Sequence, residues 1–316
     1  MNICVVGAGA IGGWIAARLA LAGNDVSVVA RGETQAAIDC EGLLLTDAGD
    51  TRCVAVATSE DPAAFGVQDL VVIALKAPIL PRLAPSIDAL IGPGTQIVPM
   101  INGVPWWFTG DPLWSVDPDV AIADALPIEQ VAGCVVHASC YRSAPNHIVV
   151  KQAEKLILGE PAGGPSERIE RLCTFFENCG IRCEASSNVR RAIWYKLWGN
   201  ATINPMSALT RSTADQLLDD PVIRALMARA MDELAAVGAQ IDCPISETAE
   251  DRMAVTARLG AFRSSMLQDV EAGRPIELEA LLGAPREIAN RVGVATPQLD
   301  RIYALTRLMG ENLGLL

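Results

Sequence analysis

The sequence predicts a doubly wound α/β domain followed by an all-helical domain. In the first half of the chain, short runs of Val and Ile bounded by Gly, Pro and Asp alternate with helical stretches, as in parallel sheets buried on both faces. After about residue 186 strand-like runs nearly disappear, and long segments with helical spacing take over. A chain of 316 residues also exceeds what one hydrophobic core usually organises. We therefore expect an α/β domain over 1–186 and a helical domain over 187–316.

The individual elements are expected as follows. Strands are predicted over 2–6, 25–30, 54–58, 70–75, 95–100, 121–122 and 133–139, with a helix from about 10 to 22. A strand pair over 148–150 and 155–158 is expected to close the first domain. Helical segments are predicted over 189–204, 221–237, 246–272, 276–292 and 297–312.

Composition excludes several classes of partner. The net charge of −12 disfavours nucleic acid and polybasic membrane contacts, which both need basic surface. The apolar start contains five glycines and no cationic leader, so we expect a cytoplasmic protein rather than a secreted or membrane-bound one. Nine cysteines without a C-x-x-C pair, and only two histidines, predict no metal site. The oligomeric state is left open by the sequence, a homodimer included.

A glycine-rich turn follows the first expected strand. The pattern G-x-G-x-x-G is matched by Gly7, Ala8, Gly9, Ala10, Ile11 and Gly12. This pattern is weak alone, but here it stands between a strand and a helix with a second strand following. Gly7 permits the tight turn, Gly9 lets the backbone approach a pyrophosphate, and Gly12 lets the helix lie close to the strand. We expect the turn to bind a dinucleotide at the helix N-terminus.

The residue at the end of the second expected strand distinguishes the two nicotinamide cofactors. Enzymes that prefer NAD usually place Asp or Glu there to bind the ribose hydroxyls. This chain places Arg31 there, and a guanidinium can bind a 2′-phosphate through two hydrogen bonds. We therefore predict NADP(H) as the cofactor. Glu33, close by, is the residue that weakens this prediction.

Polar residues in three places are candidates for the site. Lys76 and Asn102 follow two expected strands at their carboxyl ends, where open α/β sheets bind ligands. Lys196, Asn200 and Asn204 are spaced four residues apart, so they share one face of a helix that Pro205 is expected to end or kink. A lysine among Trp and Leu, beside two amides, favours a role in lining a cleft.

These motifs together resemble the ketopantoate reductase (2-dehydropantoate 2-reductase) family over essentially the full chain. In chain order they are the glycine motif, Arg31, L-K-A at 75–77, N-G at 102–103, K-L-x-x-N-x-x-I-N-P at 196–205, S-S-M-L-Q-D at 264–269 and G-R-P-I-E at 273–277. The resemblance implies a Rossmann-type N-terminal domain and a C-terminal domain similar to that of 6-phosphogluconate dehydrogenase, with a substrate cleft between them. It also implies NADPH-dependent reduction of a 2-oxo acid to a 2-hydroxy acid, with ketopantoate as the type substrate.

The resemblance also implies roles for residues at the matching positions. Lys196 would be the general acid and Glu277 its partner and a ligand of a substrate hydroxyl. Lys76 and Asn102 would line the cofactor side. The substrate ligands would be Asn102, Asn200, Asn204 and Ser265. An ammonium at the carbonyl oxygen would stabilise the alkoxide formed by hydride addition and supply its proton.

Three departures from the family pattern leave the identity of the oxo acid open. Trp106 and Trp107 follow the N-G pair where the family usually has small or flexible residues, Glu279 replaces a usual Asp, and Leu282 replaces a usual Asn. One alternative is a related reductase of another branched, aromatic or larger 2-oxo acid. Another is a protein that senses NADPH without turnover, which the presence of both Lys196 and Glu277 disfavours.

Overall fold

A computed structural model describes residues 1–258 and 260–316, which divide into two compact units. One unit comprises Met1–Leu75, Ile79–Ile101 and Val120–Val189, and the other comprises Lys76–Pro78, Asn102–Asp119 and Arg190–Leu316. The expected division after residue 186 placed Lys76 and Asn102 in the first domain. In the structure their short segments belong to the second unit, because they form hydrogen bonds with its helical part.

The first unit contains ten strands and five α-helices among its described residues. In chain order these are β1 (Asn2–Val6), α1 (Ala10–Leu21), β2 (Asp25–Val29), α2 (Gly32–Glu41), β3 (Leu43–Asp47), β4 (Asp50–Val54), β5 (Ala57–Ser59), β6 (Leu70–Ile73), α3 (Leu80–Ile87), β7 (Gln96–Pro99), α4 (Ala121–Ala125), β8 (Gly133–Ala144), β9 (His147–Gly159), α5 (Glu167–Asn178) and β10 (Cys183–Ala185). The five strands β1, β2, β5, β6 and β7 form one parallel sheet in the order β5-β2-β1-β6-β7.

Strand order reverses beside β1. The chain builds outward through β2 and β5, and then returns to the other side of β1 with β6 and β7. Ligands of open α/β sheets bind at the carboxyl ends of strands where such a reversal occurs. The glycine turn directly after β1 therefore stands at the expected place for a cofactor.

A second sheet covers the other side of α1. In this sheet β8 pairs with β9 antiparallel, β3 and β10 pair with the two ends of β9 in parallel, and β4 completes it beside β3. A Cβ at Gly12 would lie 1.9 Å from the Gly7 carbonyl oxygen, whereas one at Gly13 would lie 2.7 Å from Ile148 of β9. Because α1 is covered from two sides, it is apolar almost throughout, with Trp14 and Ile15 buried.

Several expected elements differ from the observed ones. Residues 121–122 were expected as a strand, but they begin α4. The expected strand over 54–58 divides between the end of β4 and β5, and the expected pair over 148–150 and 155–158 is the single strand β9, whose partner is β8. A two-residue apolar run and a broken run carry too little periodicity to distinguish a strand from a short helix, or one strand from two.

The second unit is helical in its described residues. Its elements are α6 (Val189–Thr210), α7 (Ala214–Asp219), α8 (Pro221–Gln240), α9 (Ala249–Ala257), α10 (Ser265–Glu271), a π-helical turn (Glu279–Gly283), α11 (Ala284–Arg291) and α12 (Pro297–Leu313). The helix expected over 246–272 is two helices, α9 and α10. Pro205 does not end α6, which continues to Thr210, because the residues around the proline are buried and packing outweighs the lost hydrogen bond. In the described part of the chain, no helix combines the length and apolar character needed to cross a membrane.

The described fold is thus a doubly wound, Rossmann-type α/β unit and an all-helical unit, as the sequence predicts.

Candidate active site

The glycine turn has the geometry that a dinucleotide needs. Gly7 has φ +103°, a left-handed conformation that favours glycine, and its N–H donates to the Val29 carbonyl at 3.0 Å. No heavy atom lies within 4 Å of a Cβ built on Gly9, so the backbone there is open to a close approach. Gly9 caps α1 without a side-chain hydrogen bond, which leaves the first N–H groups of the helix for an anion. The turn therefore fits a pyrophosphate, and Ala8, Ala10 and Ile11 lie within it.

Arg31 lies at the carboxyl end of β2 and at the N-cap position of α2. Its side chain is exposed and makes no hydrogen bond or ion pair with any residue that the structure describes. The guanidinium is thus available to an anion at the strand end.

In the helical unit, two tryptophans fix the orientation of α6. The indole N–H of Trp194 donates to the Leu234 carbonyl at 3.1 Å, and that of Trp198 donates to the Met231 carbonyl at 2.7 Å, both on α8. Residues 194 and 198 share one face of α6, and Lys196, two residues from each, projects from the opposite side. The buried tryptophan face thereby determines which way the lysine points.

Lys196 and Glu277 are linked through Asn102. The Lys196 ammonium donates to Oδ1 of Asn102 at 3.1 Å, and the Asn102 amide nitrogen donates to Oε2 of Glu277 at 3.3 Å. The amide thus orients both groups, since one end accepts from the cation and the other donates to the anion. The resemblance implied that Glu277 is the partner of Lys196, and in the structure Asn102 stands between them.

The ion pair of Glu277 is with Lys76. The Lys76 ammonium lies 3.6 Å from Oε2 of Glu277 and also pairs with Asp269, while the Ala77 N–H donates to Oε1 of Glu277 at 3.3 Å. Both acids are almost fully buried, at 5% exposed for Glu277 and 3% for Asp269. Buried carboxylates need such partners, because an unpaired charge is costly to remove from water. Lys76 therefore pairs with both buried acids, and Arg274 supplies a second positive charge beside Asp269.

Asp269 is the member of this network to which the sequence motifs assigned no role. It lies on α10 and also accepts from Nε of Arg274 at 3.1 Å, beyond the helix end. The chain turns there, because α10 ends at Glu271 and Gly273 has φ +62°, and Glu277 follows the turn. The signal available was the Asp at the end of S-S-M-L-Q-D, but its partner Lys76 lies 193 residues away in the sequence.

The remaining predicted substrate ligands lie in the same unit. Asn204 is 4% exposed, and Asn200 and Ser265 are half-buried. Their side chains form no hydrogen bond with any described residue, so they remain available to a ligand. Ser264, the first residue of the S-S-M-L-Q-D motif, is the N-cap of α10, and its hydroxyl accepts from the Leu267 N–H at 3.1 Å.

The loop that carries Asn102 is held tightly against the π-helical turn. Val104 N–H donates to the Ala280 carbonyl at 2.8 Å, and a Cβ at Gly103 would lie 2.3 Å from that same oxygen. Gly103 has φ +82°, so both sterics and conformation require glycine. This close approach is what positions Asn102 near Glu277.

The residues that depart from the family pattern are involved in packing within the helical unit. Trp106 and Trp107 are 5% exposed, and Leu282 is fully buried. Glu279 accepts from the Tyr303 hydroxyl at 2.9 Å. Burial raises the pKa of Glu279 above its usual value, although the Tyr303 hydrogen bond opposes the shift. These substitutions are therefore accounted for by contacts inside the unit.

The parallel sheet with its glycine turn, and the lysine–amide–carboxylate network of the helical unit, define the class of two-domain NAD(P)-dependent oxidoreductases. In the described residues, no cluster of His, Cys, Asp and Glu could hold a metal ion.

Comparison with known proteins identifies the family. The sequence model of the ketopantoate reductase PanE/ApbA family matches residues 3–163, and that of its C-terminal domain matches 188–310. The chain belongs to the ketopantoate reductase PanE/ApbA family.

Relatives match over their full lengths. The chain is 38% identical to the 2-dehydropantoate 2-reductase of Mesorhizobium japonicum, with 99% of each chain covered. A solved protein from Ralstonia solanacearum MolK2, provisionally assigned as a ketopantoate reductase, is 48% identical with a TM-score of 0.96, covering 100% of this chain and 99% of that one. The 2-dehydropantoate 2-reductase of Geobacter metallireducens is 28% identical with a TM-score of 0.86, covering 98% and 100%.

Proposed function

We propose that the protein reduces a 2-oxo acid to the corresponding 2-hydroxy acid with NADPH, and that its substrate is ketopantoate (2-dehydropantoate), which becomes pantoate. The observation that carries this proposal is the network in which Asn102 connects the Lys196 ammonium to the Glu277 carboxylate. Full-length similarity to 2-dehydropantoate 2-reductases supports the same reaction.

The proposed chemistry assigns the proton to Lys196. A nicotinamide cofactor, when bound, would supply the hydride for C2 of the oxo acid, and the reduction would leave negative charge on the carbonyl oxygen. The Lys196 ammonium stabilises this charge and donates its proton to the oxygen, so that a hydroxyl forms. Asn102 holds the lysine in one orientation, and Glu277 accepts a hydrogen bond from the hydroxyl of the substrate. Lys76 pairs with Glu277 and Asp269, and Arg274 pairs with Asp269, so that two cations compensate the two acids and their charge does not repel the substrate carboxylate.

Three unpartnered side chains suit the recognition of the substrate. The amides of Asn200 and Asn204 and the hydroxyl of Ser265 have no acceptor or donor among the described residues. Asn204 is 4% exposed, which limits the access of solvent to its amide. A 2-oxo acid offers carboxylate and carbonyl oxygens as acceptors for these donors. We propose that the three residues bind the substrate, while Lys76 and Asn102 line the cofactor side.

NADPH is the proposed reductant because of Arg31. Its exposed guanidinium lies at the strand end where the adenosine ribose of a dinucleotide is expected, and a 2′-phosphate is the anion that would occupy it. The glycine turn provides the pyrophosphate contacts for either cofactor.

The proposed function is tested by NADPH oxidation with a panel of 2-oxo acids. The panel contains ketopantoate together with smaller, branched, aromatic and larger 2-oxo acids, and the product is identified by mass spectrometry. We expect ketopantoate to give the highest kcat/KM and pantoate to accumulate in equal amount to the NADPH consumed. A higher kcat/KM with another 2-oxo acid would replace ketopantoate but keep the reaction class. No turnover with any member would reject the function.

A further inference from the structure

The N-terminus of α2 is capped by a carboxylate from a neighbouring strand end. Arg31, at the N-cap position, forms no side-chain capping hydrogen bond. Instead, Oε1 of Glu60 accepts from the Gly32 N–H at 2.9 Å. Glu60 directly follows β5, which pairs in parallel with β2, so the ends of the two strands are adjacent. An anionic side chain therefore already occupies this helix end, where the helix dipole favours negative charge.

Two arginines are present at the same end of α2. Arg31 is exposed and has no partner among the described residues. Arg142, which lies on β8, donates from Nη1 to Oγ1 of Thr34 in the first turn of α2, at 3.0 Å. The place expected for the adenosine ribose thus has cations from two elements and an acid, Glu60, from a third.

We propose that Glu60 is a specificity-determining residue for the cofactor, an inference that rests on the NAD(P)-dependent function proposed above. A 2′-phosphate would be recognised by the guanidinium groups of Arg31 and Arg142 and by the N–H of Gly32. The Glu60 carboxylate already accepts the hydrogen bond of the Gly32 N–H, and it would place a second negative charge beside the 2′-phosphate. The ribose of NADH carries hydroxyls instead, and a carboxylate accepts hydrogen bonds from them. Glu60 therefore reduces the affinity for NADPH relative to NADH, a difference that Arg31 and Arg142 would otherwise make larger.

The variant Glu60→Gln removes the negative charge at position 60 and keeps a side chain of nearly the same shape. Glutamine keeps an oxygen that can accept from the Gly32 N–H, so the cap of α2 is retained while the charge is lost. Removing one like charge at close range in water corresponds to about a fivefold change in affinity. We expect Glu60→Gln to bind NADPH about fivefold more tightly, and NADH no more tightly than the wild type does. The measurement is the Kd of each cofactor, from fluorescence titration of the full chain at one fixed ionic strength.

The matched control is Asp61→Asn. Asp61 is the next residue, and its carboxylate accepts from the Ala63 N–H at 3.0 Å in its own turn. The control thus removes the same charge without touching α2, and it should change the ratio of the two Kd values less than twofold. Arg142→Ala removes a cation, rather than an anion, from the same place. It should therefore weaken NADPH binding and leave NADH binding unchanged.

The outcomes distinguish this inference from the proposed function. Equal Kd shifts for both cofactors in Glu60→Gln, no shift at all, or the same shift in Asp61→Asn would overturn the role of Glu60 while the function stands. A wild-type chain that binds neither NADPH nor NADH would overturn both. If Glu60→Gln does not fold, as judged by a circular dichroism spectrum that differs from the wild type, Arg142→Ala is used instead. In that variant an unchanged ratio of the Kd values for NADPH and NADH overturns the inference.

Discussion

Replacing Asn102 with alanine tests whether the amide between Lys196 and Glu277 is functional. The change removes one hydrogen bond from the Lys196 ammonium, at 3.1 Å, and one to the Glu277 carboxylate, at 3.3 Å. Glu277 keeps the Ala77 N–H at 3.3 Å and the Lys76 ammonium at 3.6 Å, so its charge remains compensated. The main loss is therefore orientation rather than stability.

The expected magnitude follows from these contacts. A hydrogen bond to a charged group contributes about 1.5–3 kcal/mol. If the bond to Lys196 is fully expressed in the transition state, its loss lowers kcat by about 10- to 150-fold. This range agrees with the roughly 10²-fold cost of a misplaced catalytic group. We expect kcat to fall within this range, with thermal unfolding shifted by only a few degrees.

The assay is steady-state NADPH oxidation at saturating 2-oxo acid, with the Kd of NADPH measured separately by titration. Asn102→Ala should reduce kcat far more than it changes the midpoint of thermal unfolding. A kcat within twofold of the wild-type value would refute the reasoning, because the amide would then be dispensable for orienting Lys196. A large loss of thermal stability together with the loss of kcat would also contradict it, since the amide would then be structural.

Three further changes have outcomes that the structure determines. Gly103→Ala should lower the free energy of unfolding, measured in urea, by about 2–4 kcal/mol, because of the positive φ and because the new Cβ would lie 2.3 Å from the Ala280 oxygen. A decrease of less than about 0.5 kcal/mol would contradict this expectation. At Glu287, burial would raise the pKa, but hydrogen bonds led by that from the Ser115 hydroxyl outweigh it and lower the pKa. The contribution of Glu287 to the stability of the fold is therefore present above the ordinary Glu pKa and is lost as the pH falls through the lowered pKa of Glu287. In Glu287→Gln, the midpoint of thermal unfolding should therefore decrease less steeply with falling pH than in the wild type. An unchanged pH dependence in Glu287→Gln would show that the Glu287 carboxylate does not contribute to the pH dependence of stability. Arg31→Ala should weaken NADPH binding by about 10- to 100-fold in titration and NADH binding less than threefold; equal losses for both cofactors would remove Arg31 from phosphate recognition.

Features that depend on local sequence could be predicted well. The G-x-G-x-x-G turn could be predicted from its own pattern and from the strand and helix signals on either side of it, although the atoms that a Cβ at Gly7 would meet belong to the distant Ala74 and Leu75. The common face of Lys196, Asn200 and Asn204 follows from helical spacing alone, which does not depend on what the helix packs against. Residues close in the chain therefore gave reliable predictions.

Features that depend on distant contacts could not be predicted in the same way. Nothing in the sequence near Lys76 indicates that its ammonium pairs with Asp269, because the two are 193 residues apart and belong to different motifs. The burial of Trp107 likewise depends on the tertiary contacts of the helical unit. Pro205 is predicted to end or kink α6 from its missing N–H, and the helix does not end there because burial on both sides of the proline outweighs that local cost.

Lys196→Ala tests the central claim most directly. Lys196 belongs to the helical unit, whereas the glycine turn and Arg31 belong to the α/β unit, so the Kd of NADPH should stay within about threefold of the wild type. Turnover of ketopantoate, or of the best 2-oxo acid in the panel, should fall by about 10² to 10⁴, the contribution of a positioned acid. Lys196→Arg should restore little, because a guanidinium does not release its proton readily. Near-normal kcat in Lys196→Ala, with NADPH binding intact, would contradict the proposed mechanism.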